Sequence, residues 1–446
     1  MKQTSIQRHV EQMDNRVKAN RIYQRHWNNE SPAAWLSKES KKALEGKLSR
    51  VSVNFVRLAV TALVERMTLR GWTKPGEAGI DMELLTLAQQ IDLAAKAETI
   101  HVDRALYGSS YATVWSTADG RQPVLITDTG ANASVDVDPA TGLVRSGARV
   151  WREGDTAKAV EFTPEKVTHY RAEVLAGTEL TAATEWNVTE TKDNPLQAVP
   201  IVPFKRKQSS LDTHGVSAVA DILDLVDALA KALGDAMVNS EYFAKPRRWA
   251  TGLEIMEDEA GKPIDPFGES RLLQSEDPDT KFGQLQASTP AGQVELIATL
   301  TQQIGALTGL PAHYLGLHGD QPPSAEGVRA AETQLVMTGR TEMRYLSSPW
   351  SKVAGLLLAV KNNGHPDDYP RMTEWENPEI KTPAQAADAA GKLRDIGLPL
   401  ETLLSDPLAY PPEDIEDIVS AANRENLLAN VNLGRGDIAT TPNGQG

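Results

Sequence analysis

The strongest constraint on the fold is the order of elements between residues 213 and 361. Two apolar-striped helices enclose a turn-rich insertion, and a Gly/Pro loop and another long helix follow. Over Val216–Phe243, Ile222, Leu225, Val226, Leu229, Leu233, Met237 and Val238 recur at three and four spacing, which predicts a helix with one apolar face. Periodicity leaves open whether that face is buried within the chain or packs on neighbouring copies in a ring. About 45 residues, Lys245–Thr289, are rich in turn formers, with short strands expected at Arg248–Ile255, Ser270–Leu273 and Gly283–Gln286. Val294–Leu307 reads as a second helix, stopped by Gly309 and Pro311. Residues 309–327 (GLPAHYLGLHGDQPPSAEG) hold too many glycines and prolines for regular structure. Ser324 then caps a helix over Ala325–Arg344 that continues past Pro349 to Val360, kinked where proline removes a backbone donor.

The rest of the chain reads as helix, then sheet, then short helices. Residues 1–27 predict a polar helix with a loose stripe of Ile6, Val10, Met13, Val17, Ala19 and Ile22. A short helix over Ala33–Leu48 and a stronger one over Asn54–Leu69 follow, the latter ended by Gly71. Asp81–Leu106 reads as one 26-residue helix, about 39 Å long. The period then changes: strands are expected at 111–116, 123–128, 133–138, 143–151, 159–162, 167–173 and 199–204. Beyond residue 361 only short helices are expected, at Pro383–Ile396, Leu400–Leu404 and Pro412–Leu428, with no long helix after residue 390 and a disordered end.

Composition excludes whole classes of chemistry. The chain has 446 residues and no cysteine, so disulfide scaffolds, thiolate metal sites and cysteine catalysis are ruled out. The most apolar helical stretch, VAGLLLAV over Val353–Val360, is far shorter than the roughly 20 residues of a membrane span. The opening residues show no apolar signal core, so a soluble, unexported protein is expected. Net charge is −14, which argues against tight sequence-specific nucleic-acid binding yet suits a wall past which DNA slides. Residues 361–446 hold 7 Lys and Arg against 15 Asp and Glu, so −8 of that charge lies there. No phosphate loop, GxSxG, HExxH or dinucleotide loop is present. Asp136/Asp138 and Asp277/Asp279 lack the further ligands of a calcium loop, and His313 and His318 lack a third metal ligand. Arg435-Gly436-Asp437 is too short to carry an adhesion reading. No catalytic, cofactor-binding or metal residue is expected.

Four segments carry a family resemblance. They are Asn54–Trp72 (NFVRLAVTALVERMTLRGW), Tyr107–Trp115 (YGSSYATVW), Asn239–Leu253 (NSEYFAKPRRWATGL) and Ile304–Glu332 (IGALTGLPAHYLGLHGDQPPSAEGVRAAE). Together, and in this order, they resemble the portal proteins of tailed bacteriophages, in the group similar to the portal of the Bacillus siphophage SPP1. The resemblance implies a mixed α+β portal fold assembled as a ring, usually of twelve. A wing over 1–212 (111–204 mainly β) would precede a first stem helix (213–243), a small α/β clip (244–290) and a second stem helix (291–308). A tunnel loop (309–324), a kinked helix (325–361), a connection (362–379), a small helical crown (380–432) and a disordered tail (433–446) would complete it.

By the same resemblance the ring sits at one capsid vertex of a virion assembled in the host cytoplasm. It passes double-stranded DNA non-specifically during packaging and ejection. Its partners would be the terminase large subunit, the major capsid and scaffolding proteins, and later a head-completion adaptor, with no cofactor and no membrane. Leu315, Leu317, His318 and Gln321 would stand nearest the duplex. Lys245, Arg247 and Arg248 are either a solvated surface patch or a DNA or terminase contact. Another oligomeric virion protein (capsid or adaptor) and a soluble enzyme with an unrecognised site are the competing readings. Leu317→Lys is expected to slow or stall genome packaging while rings still assemble; equal DNA-filled particle yields for mutant and wild type would refute that.

Overall fold

The computed structural model describes residues 4–30, 53–77, 79–117, 120, 122–175, 177–210, 212, 214–243, 248–252, 278–284, 291–317, 324–379 and 382–436. The helix expected over Ala33–Leu48 lies outside them. The chain divides into two units: Met1–Tyr23, Leu58–Ala220 and Ala325–Gly446 form the larger, Gln24–Arg57 and Asp221–Ser324 the smaller.

In the larger unit all seven strands expected between residues 111 and 204 form. β2 (Ser109–Ser116) lies between β3 (Pro123–Thr129) and β9 (Ile201–Lys205) in one antiparallel sheet. β4 (Ala133–Val137), β5 (Val144–Glu153), β6 (Thr156–Phe162), β7 (Lys166–Glu173) and β8 (Asn187–Asp193) follow as an antiparallel meander. β8 was not expected. Its residues, NVTETKD, are all exposed, so it shows no hydrophobic alternation, and only the ladder to β7 defines it. Charged side chains on such an edge also discourage pairing with further strands.

The pleat sorts side chains to the two faces of the meander. Val135, Val160, Phe162 and Val167 point one way, packing with Tyr111 and Ile201 of the other sheet. Ala148, Val150 and Ala159 point the other way, onto Ile6, Val10 and Met13 of helix α1 (Ser5–Trp27). Each of those three larger side chains contributes about 1.5–3 kcal/mol by burial. A polar pin sits among them: His9 Nδ1 lies 2.6 Å from Ser134 Oγ and Nε2 3.0 Å from Ser146 Oγ. Burial holds its imidazole below the ordinary pKa of 6.5. The α1 stripe is shorter than expected, since Ile22 is 48% exposed while Asn20 and His26 are buried.

Three other helix expectations need correction. Helix α2 stops at Val64 (Phe55–Val64), and Leu69–Thr73 is strand β1, paired with β12 (Met372–Trp375). Gly71 is therefore a strand residue, and the ladder to a segment 300 residues away overrides its reading as a helix stop. The single helix over Asp81–Leu106 is two: α3 (Met82–Gln90), capped by Asp81, and α4 (Leu93–Tyr107). Asp92 between them is left-handed (φ 54), a conformation that aspartate tolerates better than most residues. Near-heptad spacing fixed a shared apolar side but not a continuous axis. Beyond residue 361, helices α8 (Pro383–Asp395) and α9 (Leu400–Ser405) form as expected. Helix α10, however, spans 25 residues, Pro412–Gly436, so a long helix occupies part of the expected tail. Residues 437–446 lie outside the described residues.

The largest core surrounds helix α7 (Ala325–Asn362), which carries Pro349 inside it without ending. Leu346, Trp350, Val353, Ala354 and Leu356–Ala359 are buried, and α7 contacts β2, β9 and β12. Trp350 is its centre: Trp72 Nε1 donates to its carbonyl at 3.1 Å, and Phe204 stacks edge-on with centroids 5.0 Å apart. Trp350 Nε1 donates to His101 Nε2 at 2.9 Å, which leaves the proton on Nδ1, facing the Met67 carbonyl. Burial, reinforced by nearby Arg104, pulls the His101 pKa down to about 3.

That depression makes the fold acid-sensitive. His101 is neutral when folded and takes up a proton readily only when unfolded, so its contribution is complete above pH 6.5 and is lost as pH falls from there toward 3. In that window it lowers stability by up to about 1.4 kcal/mol per pH unit. Chemical denaturation at pH 7, 6, 5 and 4 should show a shallower fall for His101→Gln than for wild type, although the variant starts less stable. Parallel slopes would contradict the assignment.

Candidate functional site

The smaller unit is built on an antiparallel helix pair, α5 (Leu223–Phe243) and α6 (Ala291–Thr308), which form where the two helices were expected and pack on each other. Val226, Leu229 and Ala232 are buried on α5, and Thr301, Ile304 and Gly305 on α6. Asn239 Nδ2 donates to Gln293 Oε1 at 3.1 Å near the far end of the pair. Between the helices, β10 (Arg248–Thr251) and β11 (Lys281–Gln284) form an antiparallel ribbon. Trp249 sits against Gly283 across the ribbon, where a Cβ would crowd the indole and force it to shift.

The chain leaves α6 by a glycine stop. Gly309 is left-handed (φ 71) and the Leu310 N–H reaches back to the Gly305 carbonyl at 3.1 Å, a Schellman closure. The loop expected to be irregular contains one 3₁₀ turn, Ala312–Leu315, with Pro311 extended before it. A second glycine stop follows, with Gly316 left-handed and Leu317 N–H bonded to the Ala312 carbonyl at 3.0 Å. These two stops fold the segment back on its own helix. Leu315 is pressed against Gly305, where an added Cβ would lie 2.4 Å from Leu315 Cδ1.

Of the residues singled out in the sequence, Leu315 and Leu317 are both half-buried, with left-handed Gly316 between them. His318 and Gln321 lie outside the described residues, as do Lys245 and Arg247. Arg248 opens β10 opposite Gln284. Sequence reasoning missed the Gly305–Leu315 contact; its only trace was a glycine inside an apolar helix. Residues 291–317 contain a single formally charged side chain, Glu295. Such a surface offers no acid–base pair, and among the described residues no group of three or more His, Asp or Glu gathers as a metal site.

The four motif segments act as joints. Asn54 Nδ2 and Arg57 Nη2 both donate to the Trp27 carbonyl, at 2.9 and 3.0 Å, while Arg57 also covers the Trp27 ring. Asn54 Oδ1 accepts the Arg57 N–H and so caps α2. Arg66 of the first segment pairs with Glu332 of the fourth at 3.2 Å, both buried. Gly108 of the second ends α4 in a left-handed turn and meets Gly215 so closely that a Cβ on Gly215 would lie 2.0 Å from the Gly108 carbonyl oxygen.

The fold has a known counterpart in a chain from the "Neck of empty GTA particle computed with C6 symmetry", at TM-score 0.50 and 12% identity, covering 86% of this chain and 97% of that one. The sequence matches the family described as "Phage portal protein, SPP1 Gp6-like" over residues 3–426, and the chain belongs to that family. The portal protein of Mycobacterium phage D29 is 28% identical over 362 residues, which are 76% of this chain and 72% of the relative. That of Mycobacterium phage L5 is 27% identical over the same shares. The chain is thus a structural portal protein and not an enzyme.

The Gly305–Leu315 contact is directly testable. Gly305→Val should displace Leu315 and destabilise the loop by about 1–3 kcal/mol, the usual cost of overpacking. Proteolysis between residues 309 and 324 should accelerate relative to wild type, and unchanged cleavage rates would show that the turn does not depend on this contact.

Proposed function

We propose that this chain assembles as a ring, of twelve copies, at one capsid vertex and forms the channel for double-stranded DNA during packaging and ejection. The observation that carries the reading is the run from α5 through the β10–β11 insertion, α6 and the folded-back loop to α7, with one formal charge over residues 291–317. A conduit needs a wall that neither grips nor traps a polyanion, and α6 with its exit loop, carrying Glu295 alone, meets that need, while α5 holds four acidic residues against one lysine.

In this reading residues 1–212 are the wing, 213–243 and 291–308 the stem helices, 244–290 the clip and 309–324 the tunnel loop. Residues 325–361 form the helix behind that loop, 362–379 connect it, and the crown begins at 380. Leu317 faces the duplex together with His318 and Gln321, while Leu315 anchors the loop to α6 by the Gly305 contact. Lys245, Arg247 and Arg248 meet DNA or the terminase, and head-completion proteins later take the same clip. Capsid and scaffolding proteins surround the wing.

Exposed apolar side chains support ring formation. Val294 is 61% exposed, Leu296 50% and Leu307 56% along α6. An apolar helix surface on a lone subunit suits burial against the next copy, and head-to-tail contacts close into rings when the rotation allows. Twelve copies at −14 carry −168 in total. The segment from 361 onward holds over half of it, away in sequence from α6 and its exit loop.

Light scattering after size exclusion, with negative-stain microscopy of the same peak, tests the assembly. Twelve subunits of 48.5 kDa make 582 kDa, and a ring with a duplex-wide channel is expected near that mass. A compact dimer that forms no ring, even when scaffolding and capsid proteins are co-expressed, would overturn the proposal.

A further inference from the structure

Where α4, α7 and the end of β9 meet, one carboxylate faces two guanidinium groups. Arg104 Nη1 bonds Glu342 Oε2 at 2.6 Å, and Arg206 Nε bonds Glu342 Oε1 at 2.8 Å. Arg104 is 2% exposed and Glu342 5%. The charged groups that bear on Arg104 are these two, Glu342 attracting and Arg206 repelling, so the cluster carries a net charge of one positive unit. His101, on the same helix, is held neutral and adds no further positive charge.

The hydrogen bonding is incomplete as well. Arg104 Nη2 is buried without a hydrogen-bond partner. Arg206 Nη1 reaches the carbonyls of Val216 and Ser217 only at 3.4 and 3.5 Å, beyond the range of strong bonds. A guanidinium does not shed its proton in proteins, so the cluster cannot neutralise itself. The excess charge rests on Arg206, whose side chain is 15% exposed and whose Nη1 is held only weakly, and an orphaned buried donor beside it is costly.

We propose that Arg104 Nη2 and Arg206 form a binding site for a small monovalent anion, with chloride as the ligand. One negative charge balances the cluster, and a spherical acceptor takes the donor that no protein oxygen meets. A water molecule would satisfy the donor but leave the charge. The bound ion would tie α4 and α7 to the stretch that leaves β9, because Arg206 also holds Val216 and Ser217 and its backbone bonds Gly108 and Val216.

The test is thermal unfolding of the intact protein in potassium chloride, potassium bromide and potassium gluconate at equal ionic strength. Both halides should raise the midpoint saturably, by about 1.5–2 °C once roughly tenfold above their dissociation constant, and gluconate should not. Glu342→Gln adds a second net positive charge and should shift the halide titration to lower concentration. Arg206→Met makes the cluster neutral and should abolish the halide effect. Bromide anomalous diffraction from wild-type crystals keeps the proposal decidable if a variant does not fold, with a peak within bonding distance of Arg104 Nη2 expected. Identical midpoints in halide and gluconate, or a water at Nη2 with no bromide peak, would overturn it.

Discussion

Helix α7 carries two glutamates into the interior of the larger unit, and each is met there by arginine from a distant part of the chain. Glu332 pairs with Arg66 at 3.2 Å, and Glu342 with Arg104 and Arg206 at 2.6 and 2.8 Å. A carboxylate taken out of water is tolerated only if it is paired, and removing one partner of a buried pair costs about 3–5 kcal/mol. The apolar length Val353–Val360 can therefore be buried only when β9, α4 and the segment after α2 arrive in register. Charge pairing selects that register; apolar burial supplies the driving force.

Close backbone contacts complete what the charges begin. Gly108 and Gly215 let the end of α4 touch the chain leaving β9, and no side chain could occupy either site without parting them. Trp350 then links β1, α4 and β9 by two indole or imidazole hydrogen bonds and an edge-on ring contact. These joints make the larger unit a stiff frame. In the smaller unit a different economy holds: helices α5 and α6 share a thin core and leave apolar residues exposed.

Much of this was legible from periodicity. Most strands over 123–173 and 199–204 show apolar positions because a face lies on a core, β2 is buried on both faces, and α5, α6 and α8 were expected where they form. The elements that were missed share a cause. β8 has no buried face, and β1 is defined by a partner three hundred residues away. The break at Asp92 leaves the apolar spacing on both sides intact. In the candidate site, the glycine stops at 309 and 316 were visible as turn formers, while the seat of Leu315 on Gly305 was not, because a contact between a helix and its own exit loop has no period.

The sequence alone determined the class of the protein. Four motif segments, the order of helices around a turn-rich insertion, the missing catalytic signatures and the acidic charge bias toward the C-terminal region are all one-dimensional facts. What only the tertiary structure decided is why those motif residues are there. Asn54 and Arg57 converge on one carbonyl of Trp27, Arg66 meets Glu332, and Gly108 touches Gly215. Hydrogen bonds and ion pairs act over a few ångströms whatever the separation along the chain, so their partners are set by folding and leave no spacing to read.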